Sequence, residues 1–263
     1  MRLIPLGTNG YFPSFGRQTM SILVLEGETA LLLDAGTGVG RLIEPRIREL
    51  LRPVARLDVV LSHYHLDHLI GLSYLGGVFP GPVRVFGPAP PLSDVSPEEA
   101  LEIFGPPLFP TRLLDSPSVE VVAVSRKEWD LDRMPVRMRR QVHPGGSVGI
   151  RLGDRLAYCV DAAIDPGAMD FLTGVEVLLH EVWLTDEEAA REPPERSGHS
   201  AAGPVATLAA SAGVERLFPV HHHPKRTEPE LERLVREMRR EGISIELPRE
   251  GAVLRLGKDT ADA

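Results

Sequence analysis

The twelve residues LDVVLSHYHLDH, from Leu57 to His68, carry the most information about fold and chemistry. They begin with a short apolar run that is typical of a buried β-strand. The run leads directly into three histidines and one aspartate within six residues, namely His63, His65, Asp67 and His68. Imidazoles and carboxylates are ligands that suit zinc, iron or manganese. Because adjacent side chains diverge, this spacing favours two metal ions a few ångströms apart over a single ion.

Hydrophobic patterning around this motif alternates between strands and helices. Ser21 to Leu25 and Ala30 to Leu33 are apolar runs joined by a hairpin-like turn, and helical spacing covers Arg41 to Leu51. Further strands are predicted at Val83–Phe86, Val119–Val124, Val136–Val142, Gly149–Leu152, Leu156–Val160, Val175–His180 and Leu217–Val220, with a last hairpin over Ile243–Leu256. Further helices are predicted at Leu69–Leu75, after Ser96, at Ala201–Ala212 and at Glu228–Glu241. Since many strands form hairpins, the pattern favours two mixed sheets packed face to face with helices outside, over a single open parallel sheet.

The composition predicts one globular domain over residues 1–263, with a proline-dense insert near residues 80–117. The formal net charge of −8 argues against tight binding to a long nucleic-acid backbone, which requires many Lys and Arg side chains. Cys159 is the single cysteine, so no intramolecular disulfide can form, which fits a reducing compartment. The N-terminus lacks the apolar core of a signal peptide, and no stretch approaches the roughly 20 apolar residues of a membrane span. We therefore expect a cytoplasmic protein that does not bind membranes.

The motif His63-Tyr64-His65-Leu66-Asp67-His68, followed by Gly71, resembles the H-x-H-x-D-H-x-x-G signature of the metallo-β-lactamase superfamily. Leu6-Gly7-Thr8 and Leu33-Asp34-Ala35-Gly36 resemble the opening strands of that family. The resemblance extends over residues 1–256. It implies a four-layer αββα sandwich of two mixed β-sheets with helices outside, in the α/β (α+β) class.

The resemblance also implies ligands for two divalent metal ions, with Zn²⁺ expected first and Mn²⁺ or Fe as alternatives. The implied ligands are His63, His65 and His143 for one ion and Asp67, His68 and His221 for the other, with Asp161 bridging both. Because strand alternation sends neighbouring side chains to opposite faces, one histidine of His221–His223 is expected to reach the metal directly. His221 is preferred since it follows the apolar strand directly. His222 is the second choice, and His223 is expected to support the site or to face solvent.

Two later segments resemble the phosphodiesterase branch of the family, which includes tRNase Z and cyclic-phosphate phosphodiesterases. Leu179-His180-Glu181-Val182 resembles its His-Glu element, and Gly198-His199-Ser200 resembles its Gly-His-Ser element. The resemblance implies that Glu181 supports His199 and that His199 donates a proton to the leaving oxygen, with Asp67 completing the predicted catalytic group. From the residues alone, Glu181 could be a solvated strand end. His199 could belong to a capping region in which Ser200 caps the next helix.

We therefore predict a metal-dependent hydrolase that cleaves a small or cyclic phosphodiester through a metal-bound hydroxide. The segment between Asp161 and His180 is too short for the long arm that tRNase Z enzymes usually carry there, which disfavours tRNA as the substrate. The alternatives are hydrolysis of a thioester, lactone or lactam at the same metal site, tRNA 3′-end cleavage, and a non-catalytic metal-containing binding domain. The expected partner is a small anionic molecule, and the oligomeric state is left open, a homodimer included.

Overall fold

The computed structural model describes residues 1–191 and 197–257. Within these ranges the strands form two mixed sheets of seven strands each. The first sheet contains β1 (Arg2–Gly7), β2 (Ser21–Glu26), β3 (Thr29–Leu33), β4 (Leu57–Val60), β5 (Val83–Pro88), β6 (Val119–Val124) and β14 (Leu254–Arg255). The second sheet contains β7 (Glu128–Leu131), β8 (Met134–Gln141), β9 (Ser147–Leu152), β10 (Leu156–Cys159), β11 (Val177–Glu181), β12 (Arg216–Val220) and β13 (Ser244–Ile245).

The two sheets share one pattern of strand directions. The first has the order β14-β1-β2-β3-β4-β5-β6, antiparallel from β14 to β3 and parallel from β3 to β6. The second has the order β13-β12-β11-β10-β9-β8-β7, antiparallel from β7 to β10 and parallel from β10 to β13. The parallel strands β4, β10 and β12 lead into His63, Asp161 and His221. Because the carboxyl ends of parallel strands meet at one edge of a sheet, each sheet delivers its polar residues to one place.

Three buried apolar clusters separate four layers. Ile22 and Val24 of β2 point into the cluster between the sheets, where they join Tyr158 of the second sheet. Leu23 and Leu25 of the same strand point the other way, into a cluster shared with helices. A third cluster lies between the second sheet and the helices on its outer face. The predicted four-layer sandwich of two mixed sheets is confirmed.

The helices cover the outer faces of both sheets. The α-helices are α1 (Pro45–Leu51), α2 (Leu66–Leu69), α3 (Leu75–Val78), α4 (Pro97–Leu101), α5 (Met169–Leu172), α6 (Asp186–Arg191), α7 (Ala202–Ser211) and α8 (Glu228–Glu237). Short 3-10 helices run over Thr37–Ile43, Ile70–Tyr74, Leu113–Asp115 and Pro166–Ala168. Over the described ranges, no helix has the length and apolar character needed to cross a membrane.

The helix predicted over Arg41–Leu51 is interrupted in the structure. Its first part belongs to the 3-10 helix Thr37–Ile43, and α1 begins only at Pro45. Glu44 between them has extended backbone, with ψ 134°. A proline disfavours helical backbone in the preceding residue but suits the first position of a helix, so the break lies before Pro45.

The hairpin predicted over Ile243–Leu256 is wrong. Ser244–Ile245 pairs in parallel with β12, whereas Leu254–Arg255 pairs antiparallel with β1. The two short strands therefore belong to different sheets, and the segment between them connects the sheets at one end of the sandwich. Hydrophobic periodicity reports that a residue is buried, but it does not identify the partner strand.

The proline-dense stretch contributes a strand and a short helix to this frame. β5 lies between β4 and β6 in the first sheet. α4 begins after Ser96, whose side chain accepts a hydrogen bond from the Glu99 N–H at 3.2 Å. This cap agrees with the helix start predicted from the sequence.

Glu250 ties the C-terminal segment to the beginning of the chain. Its side chain is 7% exposed. The carboxylate accepts hydrogen bonds from the Thr8 N–H at 2.9 Å, the Gln18 N–H at 3.0 Å and Arg41 Nη2 at 2.9 Å. Burial raises the pKa of Glu250, and its hydrogen bonds and Arg41 oppose that rise. One carboxylate thus joins the end of β1, the loop before β2 and the first 3-10 helix.

We expect Glu250→Ala to lower the free energy of unfolding, because it leaves donors on Thr8, Gln18 and Arg41 without an acceptor. Each buried donor left unsatisfied costs roughly 1–3 kcal/mol. The midpoint of urea denaturation should therefore fall clearly. Glu241→Ala, which removes an exposed glutamate, is the control. Equal midpoints for the two variants would contradict this role of Glu250.

Candidate metal centre

Three histidines from two separate loops meet in one group. His63 and His65 follow β4, and His143 follows β8. Ligand atoms of the three side chains all lie within 4.8 Å of one another. His65 Nδ1 and His143 Nε2 are 3.3 Å apart. The structure therefore brings together the three residues that the sequence predicts for the first ion.

A second group lies beside the first and contains Asp67, His68, Asp161 and His221. Their ligand atoms also lie within 4.8 Å of one another. His68 Nε2 and His221 Nε2 are 3.3 Å apart. They lie 2.8 Å and 3.0 Å from Asp161 Oδ2. These are the residues that the sequence predicts for the second ion, with the predicted bridging carboxylate among them.

Asp161 also reaches the first group. Its Oδ2 lies 3.4 Å from His63 Nε2, and its Oδ1 lies 3.4 Å from His143 Nε2. Asp161 Oδ2 and His63 Nε2 are buried and make no hydrogen bond. Buried polar atoms without a partner are rare and costly, so this geometry requires another partner.

A pair of divalent cations fits this arrangement of donor atoms. In a tetrahedral zinc site with Zn–N distances near 2.0–2.1 Å, two ligand nitrogens lie about 3.3–3.4 Å apart. The nitrogens of His65 and His143, and those of His68 and His221, have that spacing at 3.3 Å. The residues present are therefore suited to hold two metal ions.

The electrostatic environments of the two groups differ. Burial lowers the pKa of His63, His65 and His143, which favours the neutral imidazole that binds metals. At His68 and His221 burial acts in the same direction, but nearby carboxylates outweigh it and raise the pKa well above its usual value. A negative field that stabilises a proton on these rings also favours a bound cation.

Asp34, directly after β3, orients one of the predicted ligands. Its buried carboxylate accepts hydrogen bonds from Ser62 N–H, Ser62 Oγ and Tyr158 OH, each at 2.7 Å. It also accepts one from His68 Nδ1 at 2.7 Å, so that Nε2 of the same ring faces Asp161. A carboxylate on the second ring nitrogen fixes the tautomer and orientation of a metal-binding histidine. Sequence reasoning assigned this residue only to an opening strand, although a charged residue directly after a buried strand was the available signal.

Two loops pack closely to hold the histidine motif in place. The Ala35 N–H donates to the His68 carbonyl at 2.8 Å, and the Gly71 N–H donates to the Ala35 carbonyl at 2.7 Å. A Cβ atom at Gly71 would lie 2.2 Å from the Gly36 carbonyl oxygen. Only glycine permits this approach, which explains why the motif needs Gly71.

Three site residues at or near strand ends have left-handed backbone. The φ angles are 58° at Asp34, 47° at Asp161 and 50° at His221. This region is disfavoured for residues other than glycine and costs on the order of 1–3 kcal/mol each. Strain of this kind persists where the surrounding structure fixes the direction of a functional side chain.

Glu181 and His199 lie next to the second group. Glu181 is fully buried, and its Oε1 accepts hydrogen bonds from the N–H groups of Ala162 at 3.1 Å and Ser200 at 2.8 Å. Its Oε2 lies 2.8 Å from His199 Nδ1. His199 Nδ1 lies 3.7 Å from Asp161 Oδ1. Glu181 is therefore not a solvated strand end, and it contacts His199 as the sequence predicts.

The alternative interpretation of Ser200 as a helix cap is wrong. The helix α7 begins after Ala201, which makes no side-chain capping bond. Ser200 Oγ instead donates to the Ala162 carbonyl, which ties the loop of His199 to the loop of Asp161. The hydroxyl therefore connects two parts of the site.

The three consecutive histidines separate as strand alternation predicts. His221 joins the second group, whereas His222 is buried and its two ring nitrogens have no hydrogen-bond partner. Burial lowers the pKa of His222 to about 3. His223 is half-buried, and its ring centroid lies 4.7 Å from that of Trp183. The structure thus favours His221 over the second choice, His222.

Trp183 is a site residue that sequence reasoning missed. Its ring stacks on His199, with centroids 4.5 Å apart and planes 13° apart. It also lies 5.4 Å from the ring of His221. The indole covers one face of His199 while Glu181 holds Nδ1, so the imidazole is fixed in two directions. A tryptophan two residues after the His-Glu element was the signal that could have found it.

A family model described as the β-lactamase superfamily domain matches residues 29–222, which include all the predicted metal ligands. The chain belongs to the β-lactamase superfamily. This membership confirms the resemblance predicted from the sequence. Together with the two ligand groups, it also confirms the predicted class, a metal-dependent hydrolase.

Ribonuclease Z proteins are among the relatives of this superfamily member, and two of them illustrate the similarity. Ribonuclease Z of Methanosarcina mazei is 24% identical over 273 aligned positions, which cover 84% of this chain and 87% of that protein. Ribonuclease Z of Methanopyrus kandleri is 28% identical over 283 positions, which cover 95% and 96%. Both alignments are longer than the 263-residue chain. Both relatives therefore contain residues that have no counterpart here.

Solved structures with the same fold cover nearly the whole chain. The metallo-β-lactamase fold protein YhfI of Bacillus subtilis has a TM-score of 0.77 at 17% identity and covers 97% of this chain and 98% of its own. A diphosphatase of the PhnP family has a TM-score of 0.68 at 20% identity, with 97% of both chains covered. Zn²⁺-bound PqqB of Methylobacterium extorquens has a TM-score of 0.67 at 18% identity and covers 97% and 100%. These likenesses establish the fold of the superfamily member.

We expect Asp34→Asn to weaken zinc binding. Asparagine tolerates the left-handed backbone at this position, but its amide cannot accept every hydrogen bond that the carboxylate accepts. His68 would lose its orienting partner, and a loss of this kind typically lowers metal affinity about 10- to 100-fold. Competition titration against a chromophoric chelator measures the change.

Asp58→Asn is the matched control, because Asp58 is also a buried carboxylate but lies near the start of β4, where it bonds Arg84. This variant should keep its zinc affinity. Wild-type affinity in Asp34→Asn would show that the carboxylate does not support the ligand.

Proposed function

We propose that this superfamily member cleaves a small phosphodiester with the help of two divalent cations, Zn²⁺ first. The observation that carries the proposal is the His199–Glu181 pair, with His199 Nδ1 at 3.7 Å from the Asp161 carboxylate. Cleavage of a phosphodiester releases an oxygen that needs a proton, and an imidazole held by a carboxylate suits that task.

The cations would be held by the two groups of ligands. These are His63, His65 and His143 for one ion, and Asp67, His68 and His221 for the other, with Asp161 between them. When bound, two such cations offset the negative charge of a phosphoryl group and lower the pKa of water toward neutrality. Asp67 and Asp161 cancel part of the cationic charge, which leaves a positive balance that attracts one anionic group. The zinc in the PqqB structure supports the choice of metal.

His199 is the proposed proton donor. Its Nδ1 donates to Glu181 Oε2, which leaves Nε2 to carry the proton toward the leaving oxygen. The backbone N–H groups of Ala162 and Ser200 hold the other oxygen of Glu181, so the carboxylate cannot rotate away. Trp183 covers one face of the imidazole. The chain thus supplies a ring with one fixed direction for proton transfer.

A small substrate is favoured over tRNA by four observations. The net charge is −8, and the ribonuclease Z relatives contain residues that this chain lacks. Between Asp161 and His180, a fully described segment, the helical structure is limited to Pro166–Ala168 and α5. One of the proteins with the same fold is a diphosphatase of the PhnP family. The ribonuclease Z relatives themselves favour tRNA 3′-end cleavage, which is the second candidate.

We expect zinc-loaded protein to hydrolyse cyclic nucleotides or cyclic sugar phosphates and to leave a precursor tRNA with a 3′ trailer intact. The acidic surface and the short segment after Asp161 offer little to a long phosphate backbone. Product analysis by liquid chromatography and gel electrophoresis tests both substrates. Cleavage of the precursor tRNA alone would establish the second candidate. Turnover of thioesters without turnover of phosphodiesters would overturn both.

We expect His199→Ala to slow hydrolysis of a substrate with an alkyl leaving group by roughly 10²- to 10⁴-fold, the range for general acid catalysis. The loss should be far smaller for a p-nitrophenyl ester, because p-nitrophenolate leaves without a proton. Zinc content, measured by atomic emission, should not change, since His199 is not in the proposed ligand set.

His223→Ala is the matched control, because this histidine also contacts Trp183 but lies outside the pair with Glu181. It should retain activity on both substrates. Equal losses on the two leaving groups in His199→Ala would remove the residue from proton transfer.

A further inference from the structure

Two large aromatic side chains are exposed beside the candidate metal centre. Tyr11 is 72% exposed and Phe12 is 41% exposed. Their rings make an edge contact with centroids 5.2 Å apart. Rings of this size usually bury much of their area, so an exposed pair next to a polar centre requires an explanation.

The position of this aromatic pair is fixed by backbone contacts with the site. The Tyr11 N–H donates to Asp67 Oδ2 at 2.7 Å. Gly10 packs against the ring of His221, since a Cβ atom there would lie 2.4 Å from His221 Cε1. The backbone of residues 10–11 therefore lies directly against the second ligand group, and both exposed rings branch from the chain within one residue of that contact.

The loop that carries the aromatic pair is held in place by hydrogen bonds of buried side chains. Arg17 has a side chain that is 10% exposed; its Nε donates to Asn9 Oδ1 at 2.9 Å and its Nη1 to Glu228 Oε2 at 2.8 Å. Asn9 Nδ2 donates to Ser14 Oγ at 2.8 Å, which closes the loop on itself. Tyr11 has a φ of 64°, a backbone conformation that is unfavourable for a bulky residue and that these bonds maintain. A firmly held loop that presents aromatic rings to solvent is typical of a recognition surface.

We propose, on the basis of the phosphodiesterase function proposed above, that Tyr11 and Phe12 bind the nucleobase of the substrate. The substrate is then a nucleotide and not a cyclic sugar phosphate. A phosphate drawn to the ligand groups leaves its organic substituent beside them, near the residues that carry the pair. Every base has a π face, so stacking there favours a base over none but discriminates weakly among bases.

Two substrates, one with a base and one without, distinguish base binding from any other role of Tyr11 and Phe12. One is a nucleoside 2′,3′-cyclic phosphate, and the other is 1-O-methylribose 2,3-cyclic phosphate, in which a methoxy group replaces the base. The variants are Tyr11→Asn, which suits left-handed backbone, and Phe12→Ala. Tyr11→Phe keeps the ring and is the conservative control. All three retain the backbone N–H that bonds Asp67.

We expect Tyr11→Asn and Phe12→Ala to raise KM for the nucleotide roughly 5- to 150-fold, the range for loss of one stacked base. The kcat should change little, because the ligand groups and His199 are untouched. Tyr11→Phe should restore the wild-type KM. The substrate without a base should be hydrolysed equally well by every variant.

Equal losses on both substrates, or no loss on either, would overturn the base-binding role. Sedimentation of the wild type and the variants tests whether the two rings instead contact a second copy of the chain. A changed oligomeric state, together with equal losses of activity on both substrates, would assign the rings to such an interface. Calorimetric titration of the zinc-loaded protein with adenosine 2′-monophosphate and ribose 5-phosphate tests the aromatic pair without turnover. If the wild type hydrolyses neither substrate, the phosphodiesterase proposal fails, and a selective loss of nucleotide binding in Tyr11→Asn still supports base recognition.

Discussion

The carboxylate of Asp161 is the group that side chains from both sheets contact. Nitrogens of four histidines lie within 3.4 Å of its two oxygens, and these are His63, His68, His143 and His221. The histidines come from loops after strands of both sheets, so the sheets must pack with their polar ends at the same side of the sandwich. The three apolar clusters fix that packing, because β4, β10 and β12 each contribute side chains to two of them. The geometry of the site is therefore a consequence of how the sheets are layered.

Much of the fold and of the candidate site could be predicted, because the sequence patterns that indicate them are local. The strand Leu57–Leu61 and the histidine motif after it are contiguous in sequence, and apolar alternation identifies most core strands. The strand with which a given strand pairs is not determined by local sequence. For this reason Ile243–Leu256 was predicted to form one hairpin, although its ends join different sheets. β7 escaped prediction because its exposed charged residues hide a short alternation. Asp34, Trp183 and Tyr11 act through contacts with residues distant in sequence, and no periodicity reports such contacts.

The two ligand groups and the residues around them have separate tasks in our proposals. The ligand groups determine that an anion is attracted, and they are common to hydrolysis of many kinds of ester. Discrimination among substrates is assigned to two other features. His199 with Glu181 suits a leaving oxygen that needs a proton, and the aromatic pair Tyr11 and Phe12 suits a base. The short segment between Asp161 and His180 suits the compact substrate that we propose. In these proposals, reaction type and substrate size depend on different parts of the chain.

The left-handed backbone at Asp34, Asp161 and His221 has a consequence for folding. Each of these residues destabilises the metal-free chain, as do the buried atoms near Asp161 that make no hydrogen bond. Ions that bind the folded chain better than the unfolded chain stabilise the native state by mass action. Folding and metal loading are therefore thermodynamically linked, and the fraction of folded protein depends on the supply of metal ions around it.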